Sequence, residues 1–114
     1  MDYIEQYFHT FQFREIRFGE GTRELVVVYG DYEKRCNFEF HIPRFRNLPV
    51  KLVEKYSSKK STVETISWSE IPHGVIIVIR EWIKKQIDSL SSSSNTNLIF
   101  IFNDYINTLT PLGA

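Results

Sequence analysis

The sequence predicts an α+β fold: a short N-terminal helix, an antiparallel meander of three to four strands, then two helices packed on one face. Three observations carry that expectation. Residues 36–42 alternate strictly, with Cys36, Phe38, Phe40 and Ile42 on one side and Asn37, Glu39 and His41 on the other. That is the pattern of an antiparallel strand with one packed and one wet face. Residues 75–90 place Val75, Ile76, Val78, Ile79, Trp82, Ile83, Ile87 and Leu90 at a helical period. Finally, strand-like segments come first and helix-like segments last, so a one-sided meander has a natural cover for its apolar face.

Taken in order, Ile4, Tyr7, Phe8 and Phe11 recur at helical spacing, which predicts a short amphipathic helix over residues 2–10. Phe11 and Phe13 share one strand parity while Ile16 and Phe18 have the other, so a bulge is expected near Arg14-Glu15. Gly19-Glu20-Gly21 reads as a turn, residues 25–29 as a β-branched strand, and Gly30-Asp31 as a second turn. Pro43 has no N–H for a ladder and ends the strand over 36–42. Residues 44–49 form a loop, 50–53 a fourth strand, and 54–65 an exposed, mobile stretch. A helix begins at Ser69, with Pro72 tolerated in its first turn and Glu81–Lys85 at i,i+4 on its polar side. The serine run 91–94 with Asn95 is a polar connector. Residues 98–102 are apolar enough for a buried strand. Leu98, Phe102, Tyr105, Ile106 and Leu109 share a helix face, however, so the sequence favours a helix over 98–109, stopped by Pro111.

A chain of 114 residues with 42% hydrophobic and 25% charged content is expected to build a single domain, residues 1–114, around one core. Nine Phe, six Tyr and two Trp are a heavy aromatic load for that core, so some rings are expected at an interface. Fourteen acids balance fourteen bases, which argues against nucleic acid or membrane as a partner. The charge is unevenly spread. Residues 1–33 hold seven acids and three bases, 34–60 two acids and eight bases, and 61–114 five acids and three bases. The middle third therefore carries a basic belt of Lys34, Arg35, Arg44, Arg46, Lys51, Lys55, Lys59 and Lys60. Cys36 is the single cysteine, so no intrachain disulfide forms. The start Met1-Asp2-Tyr3-Ile4-Glu5 does not resemble a signal peptide, and the uncharged apolar run over residues 75–79 is far short of a span. A cytoplasmic or nuclear location is expected.

Chemistry-bearing motifs are sparse. His9, His41 and His73 are far apart with no ligand-spaced partners, so no metal site is expected. No phosphate-binding glycine loop or nucleophile elbow occurs. Ser67 and Ser69 flank Trp68 with nothing nearby to activate a hydroxyl. Cys36 lies on the packed parity of its strand, where burial raises a thiol's pKa and removes reactivity. The expectation is a non-catalytic protein, with no cofactor and no small-molecule substrate, that binds another protein through an acidic surface on that partner. The candidate contact residues are Arg44, Phe45, Arg46 and Pro49. Two prolines stiffen the loop, and an aromatic ring between two arginines is a combination that interfaces favour. On this reading both arginines serve the partner, so Arg44→Glu with Arg46→Glu should weaken binding several-fold or more while the melting temperature stays within a few degrees.

The run Phe38-Glu39-Phe40-His41-Ile42-Pro43-Arg44-Phe45-Arg46-Asn47-Leu48-Pro49-Val50-Lys51-Leu52, with the element order around it, resembles the RWD and ubiquitin-conjugating-enzyme-like superfamily. Those domains follow a meander strand with a loop of the form Tyr-Pro-x-x-Pro-Pro-x-hydrophobic. Phe45 stands at the Tyr position, Pro49 at the first of the paired prolines and Leu52 at the closing apolar residue, while Arg46 and Val50 replace the other two prolines. Active conjugating enzymes also carry a His-Pro-Asn segment and a downstream catalytic Cys. Here no Cys follows Cys36, and His73 is followed by Gly74. The resemblance thus implies a non-catalytic adaptor or scaffold subunit of a multiprotein complex, such as a ubiquitin-system ligase or deubiquitinase. A second resemblance is to small bacterial immunity proteins that open with Phe-His-Asp, seen in Phe8-His9-Thr10 with Phe13 and Ile16. Thr10 in place of Asp, and the long helix near 70–90, depart from that pattern. An enzyme of unrecognised type is the third alternative.

Overall fold

Alternation in the first half of the chain produces five strands: β1 (Phe11–Gly19), β2 (Glu24–Asp31), β3 (Cys36–Pro43), β4 (Val50–Tyr56) and β5 (Thr62–Ile66). They pair antiparallel in chain order, a pure meander. A 3-10 turn, Trp68–Glu70, then leads to two helices, α1 (His73–Leu90) and α2 (Thr96–Gly113). The computed structural model describes residues 11–19, 24–31, 36–56, 60–90 and 96–113. The expected helix over 2–10, the turn at 20–21 and the connector 91–95 lie outside the described residues.

Side-chain alternation decides which sheet face is packed. Leu25, Val27 and Tyr29 of β2 lie opposite Ile42, Phe40 and Phe38 of β3, and Phe40 lies opposite Leu52 of β4. All are buried. Onto this face the helices bring Val75, Ile76, Ile79 and Ile83 from α1 and Ile101, Phe102, Tyr105 and Leu109 from α2, in the same cluster. Aromatic edges join the layers. Phe18 of β1 meets Phe102 at 5.3 Å between ring centroids, and Trp82 of α1 meets Phe102 at 5.6 Å in a T-shape. Burial pushes the Tyr29 hydroxyl up to about 12. It also raises that of Tyr105, whose environment includes a hydrogen bond with the Leu25 backbone. The expected bulge is present: the β1–β2 register shifts between Phe13 and Glu15, which lets Phe13 and Ile16 both face the helices.

Four expectations need correction. Residues 54–65 are not wholly a mobile stretch, because β4 runs to Tyr56 and β5 follows. As an edge strand β5 buries only Ile66, so it shows no hydrophobic alternation, and its β-branched Thr62, Val63, Thr65 and Ile66 were the available signal. Gly30-Asp31 is no turn: both residues lie in β2, with Gly30 paired to Gln12 and Asn37. No helix starts at Ser69. The residue before a proline is pushed out of the helical region, and Ile71 is accordingly extended, at φ −67° and ψ 123°. The Pro72 carbonyl instead accepts the Val75 and Ile76 N–H groups at 3.0 and 3.3 Å and starts α1. Lastly, Pro111 does not stop α2, which continues to Gly113. The helix favoured over a strand for 98–109 is what forms.

Ile79 is fully buried on α1, whereas Ile77 is 42% exposed two residues away. Ile79→Ala is expected to cost about 2–5 kcal/mol through lost transfer energy and a residual cavity. Ile77→Ala should stay within about 0.5 kcal/mol. Urea unfolding of the two variants checks this contrast, with a lower midpoint for Ile79→Ala and an unchanged slope.

Candidate functional site

The loop 44–49 leaves the sheet at Pro43, the last residue of β3, and re-enters at Val50. It is held from two sides. Arg44 donates from Nε and Nη2 to Asp104 Oδ2 of α2 at 2.7 and 2.5 Å. Arg46 Nε donates to the Thr108 carbonyl at 3.1 Å, and Thr108 Oγ1 returns a bond to the Arg44 carbonyl at 3.3 Å. On the other side Trp68 Nε1 donates to the Leu48 carbonyl at 3.1 Å, and within the loop the Leu48 N–H reaches the Phe45 carbonyl at 3.2 Å. These bonds fix the backbone and leave apolar side chains outside. Phe45 is 49% and Leu48 47% exposed. Pro49 is exposed and Trp68 half-buried beside them. The Arg44 guanidinium lies 4.9 Å from the Phe45 ring centroid. Both arginines thus also bond to α2, Arg44 half-buried and Arg46 still exposed. Phe45 and Pro49 are exposed. Leu48, Trp68, Asp104 and Thr108 were not anticipated, since nothing local in the sequence ties 44–48 to residues 20 to 64 positions on.

A second constellation occupies the sheet face away from the helices. Register places Arg17, Val26, His41, Lys51 and Thr65 in one row across all five strands, and Glu15, Val28, Glu39, Val53 and Val63 in the next. Glu39 was expected on a wet face, yet it is 4% exposed. Its neighbours bury it. Oε2 accepts Arg17 Nη2 and Lys55 Nζ at 3.0 Å each, and Oε1 lies 2.9 Å from His41 Nε2. His41 Nδ1 is in turn 2.9 Å from Glu24 Oε1. Burial alone would raise the Glu39 carboxyl, but hydrogen bonds from His41 and Lys55 and the charges of Lys55 and Arg17 outweigh it, holding the group below the usual range. The i,i+2 pair Glu39-His41 and the i,i+4 pair Lys51–Lys55 were the readable signals. That Arg17 arrives from β1 was not readable.

Elsewhere the chemistry is thin. Cys36 is half-buried at the start of β3, opposite Tyr56. Among the described residues no group of three His, Cys, Asp or Glu is placed to hold a metal ion, and no helix is long and apolar enough to cross a membrane. No family model, curated protein or solved structure matches the chain.

Two measurements test these networks. Because the folded Glu39 carboxyl sits below its unfolded value, its contacts stabilise the fold above the ordinary glutamate value of about 4.3 and are lost as pH falls through the lowered one. Glu39→Gln should therefore cost about 1–2 kcal/mol near neutrality and flatten the acid limb of stability against pH. An acid limb as steep as that of the unaltered protein would assign it to another carboxylate. At the loop, Arg44→Glu sets a second carboxylate beside Asp104. The melting temperature should fall by roughly 4–8 °C for each ~1 kcal/mol lost, and Arg44→Lys should recover part of it.

Proposed function

We propose that this chain is a non-catalytic protein-interaction module whose docking surface is the clamped β3–β4 loop, with Phe45, Leu48, Pro49 and Trp68 as the contacting groups. The observation that carries the reading is the combination of exposure and rigidity at one place. Two large apolar side chains, Phe45 and Leu48, stand about half exposed on a backbone held by bonds from α2 and from Trp68. A patch of this kind loses little conformational entropy on binding, and aromatic anchors in such settings carry most of an interface's energy. Arg46 lies at its edge and suits a partner with acidic groups around an apolar pocket.

The finer assignment, to a non-catalytic RWD or ubiquitin-conjugating-enzyme-like adaptor in a multiprotein complex of the cytoplasm or nucleus, belongs to the same proposal. Its support is a meander followed by two helices and a stiff loop from Phe45 to Pro49 at the expected place. The fifth strand is an addition to the expected meander. Cys36 has a structural role in this reading and accepts no ubiquitin thioester.

The test is affinity capture from the native cell with the unaltered chain and with Phe45→Ala/Leu48→Ala, read by quantitative mass spectrometry, then titration calorimetry with the purified partner. The double variant should bind at least about ten-fold more weakly with an unchanged melting temperature. Equal binding by both proteins would exclude this loop. A reductant-sensitive ubiquitin adduct that disappears in Cys36→Ser would overturn the non-catalytic reading.

A further inference from the structure

The sheet face opposite the helices carries a one-sided charge that the loop does not use. We propose that this face is a second docking surface, and that it takes an extended acidic polypeptide segment with an aliphatic residue between its acids. Arg14, Arg17, Lys51 and Lys55 are all exposed there, whereas Glu15 is the single exposed carboxylate that shares the face with them among the described residues. Glu39 is buried, and Glu24 is half-buried against His41. Against the four cations stand Glu15, Glu24 and Glu39, and Glu15 Oε1 lies 3.6 Å from Arg17 Nε, so the positive surplus rests on Arg14, Lys51 and Lys55.

The cations are held in place. Arg14, the bulge residue, lies across Gly30 and donates from Nη2 to the Asp31 carbonyl at 2.9 Å. A Cβ at position 30 would fall 2.7 Å from Arg14 Nε and 2.6 Å from Asn37 Oδ1, so glycine is what gives this side chain its bed. Arg17 and Lys55 reach in from strands on opposite sides and share Glu39 Oε2 at 3.0 Å, each side chain still about half exposed. A guanidinium has five donors and an ammonium three, so both keep donors for a ligand. Glu39 thus works as an internal counter-ion that gathers two cations and offsets one of their two charges.

Spacing selects the ligand. Lys51, Val53 and Lys55 follow one another on this face of β4, at intervals of roughly 6.6 Å. An extended segment repeats its own same-side residues at that interval, so the pattern acid-x-aliphatic-x-acid fits Lys51, Val53 and Lys55 in turn. Val63 of β5, cross-strand neighbour of Val53 and 65% exposed, widens the apolar strip. Nucleic acid fits less well. None of the exposed aromatic rings among the described residues, Phe13, Phe45 and Phe100, has a place in these rows for bases to stack on.

The experiment is a chemical-shift titration of the whole 15N-labelled chain with the blocked peptide Ser-Glu-Thr-Leu-Thr-Glu-Ser. Shifts should concentrate at Arg17, Lys51, Val53, Lys55 and Thr65 and spare residues 44–49. Affinity should fall about five-fold or more in Lys51→Glu, in the peptide with both Glu replaced by Gln, and at raised salt. Lys51 makes no ion pair among the described residues, so its variant keeps the melting temperature. Lys51→Gln gives an intermediate loss. The proposal is overturned by no shifts at millimolar peptide, shifts centred on the loop or helices, or equal binding of the Gln peptide. Tighter binding of an oligothymidylate than of the peptide would likewise overturn it and reassign the face. The Phe45→Ala/Leu48→Ala variant should bind this peptide normally, which separates the two surfaces.

Discussion

The row Ile16, Val27, Phe40 and Leu52, one residue from each of four neighbouring strands, is the constraint on which the other features rest. Val27, Phe40 and Leu52 are essentially without solvent contact, and a one-residue slip of any strand would turn its share of this row toward water. Burial of the row beneath α1 and α2 therefore fixes register, and register fixes the opposite face as well. Glu39 can meet Arg17, His41 and Lys55 only because Phe40 faces the helices. The bulge at Arg14 serves the same end, since without it Phe13 and Ile16 could not both point at the core.

The Glu39 cluster shows how a meander with a single helical layer treats its open face. Burying a carboxylate is unfavourable unless hydrogen bonds satisfy it, and here three side chains from β1, β3 and β4 do so. The same contacts cross-link strands from one edge of the sheet toward the other, beneath a surface whose accessible charges are mostly positive. A sheet face that would otherwise be plain and solvated becomes a fixed array of donors. Valines between the cationic rows keep it partly apolar.

The β3–β4 loop solves a different problem. Its backbone leaves the ladder at a proline, so its polar groups need partners outside the sheet. Thr108 of α2 donates to the Arg44 carbonyl and Trp68, ahead of α1, to the Leu48 carbonyl, while Asp104, one turn before Thr108, holds the Arg44 side chain. The fixed loop then holds Phe45 and Leu48 away from the core. Two surfaces of different character result, one apolar with a cationic edge and one cationic with an apolar strip, at separate places on one small fold.

A meander followed by two helices was legible because it rests on local periodicity. The alternation of 36–42, the 3.6 period of 75–90 and the parity switch at Arg14-Glu15 each reflect one element meeting one apolar environment. The edge strand β5 was not legible, because a strand with no second neighbour and little burial has no periodic pattern to show. Pro43, Phe45 and Pro49 marked the loop, and that much needed only the chain's stiffness and composition. The basic belt of residues 34–60 was visible as a count and misleading as a shape. The fold sends Arg44 and Arg46 to α2 and Lys51 and Lys55 to the open face, then adds Arg14 and Arg17 from a segment that is acidic on balance. Which charges neighbour one another depends on strand register and helix docking, contacts made between residues far apart in the chain. The sequence by itself therefore marked most of the described elements and where the loop falls; only tertiary packing decided which side chains are tied to distant partners and which stay exposed.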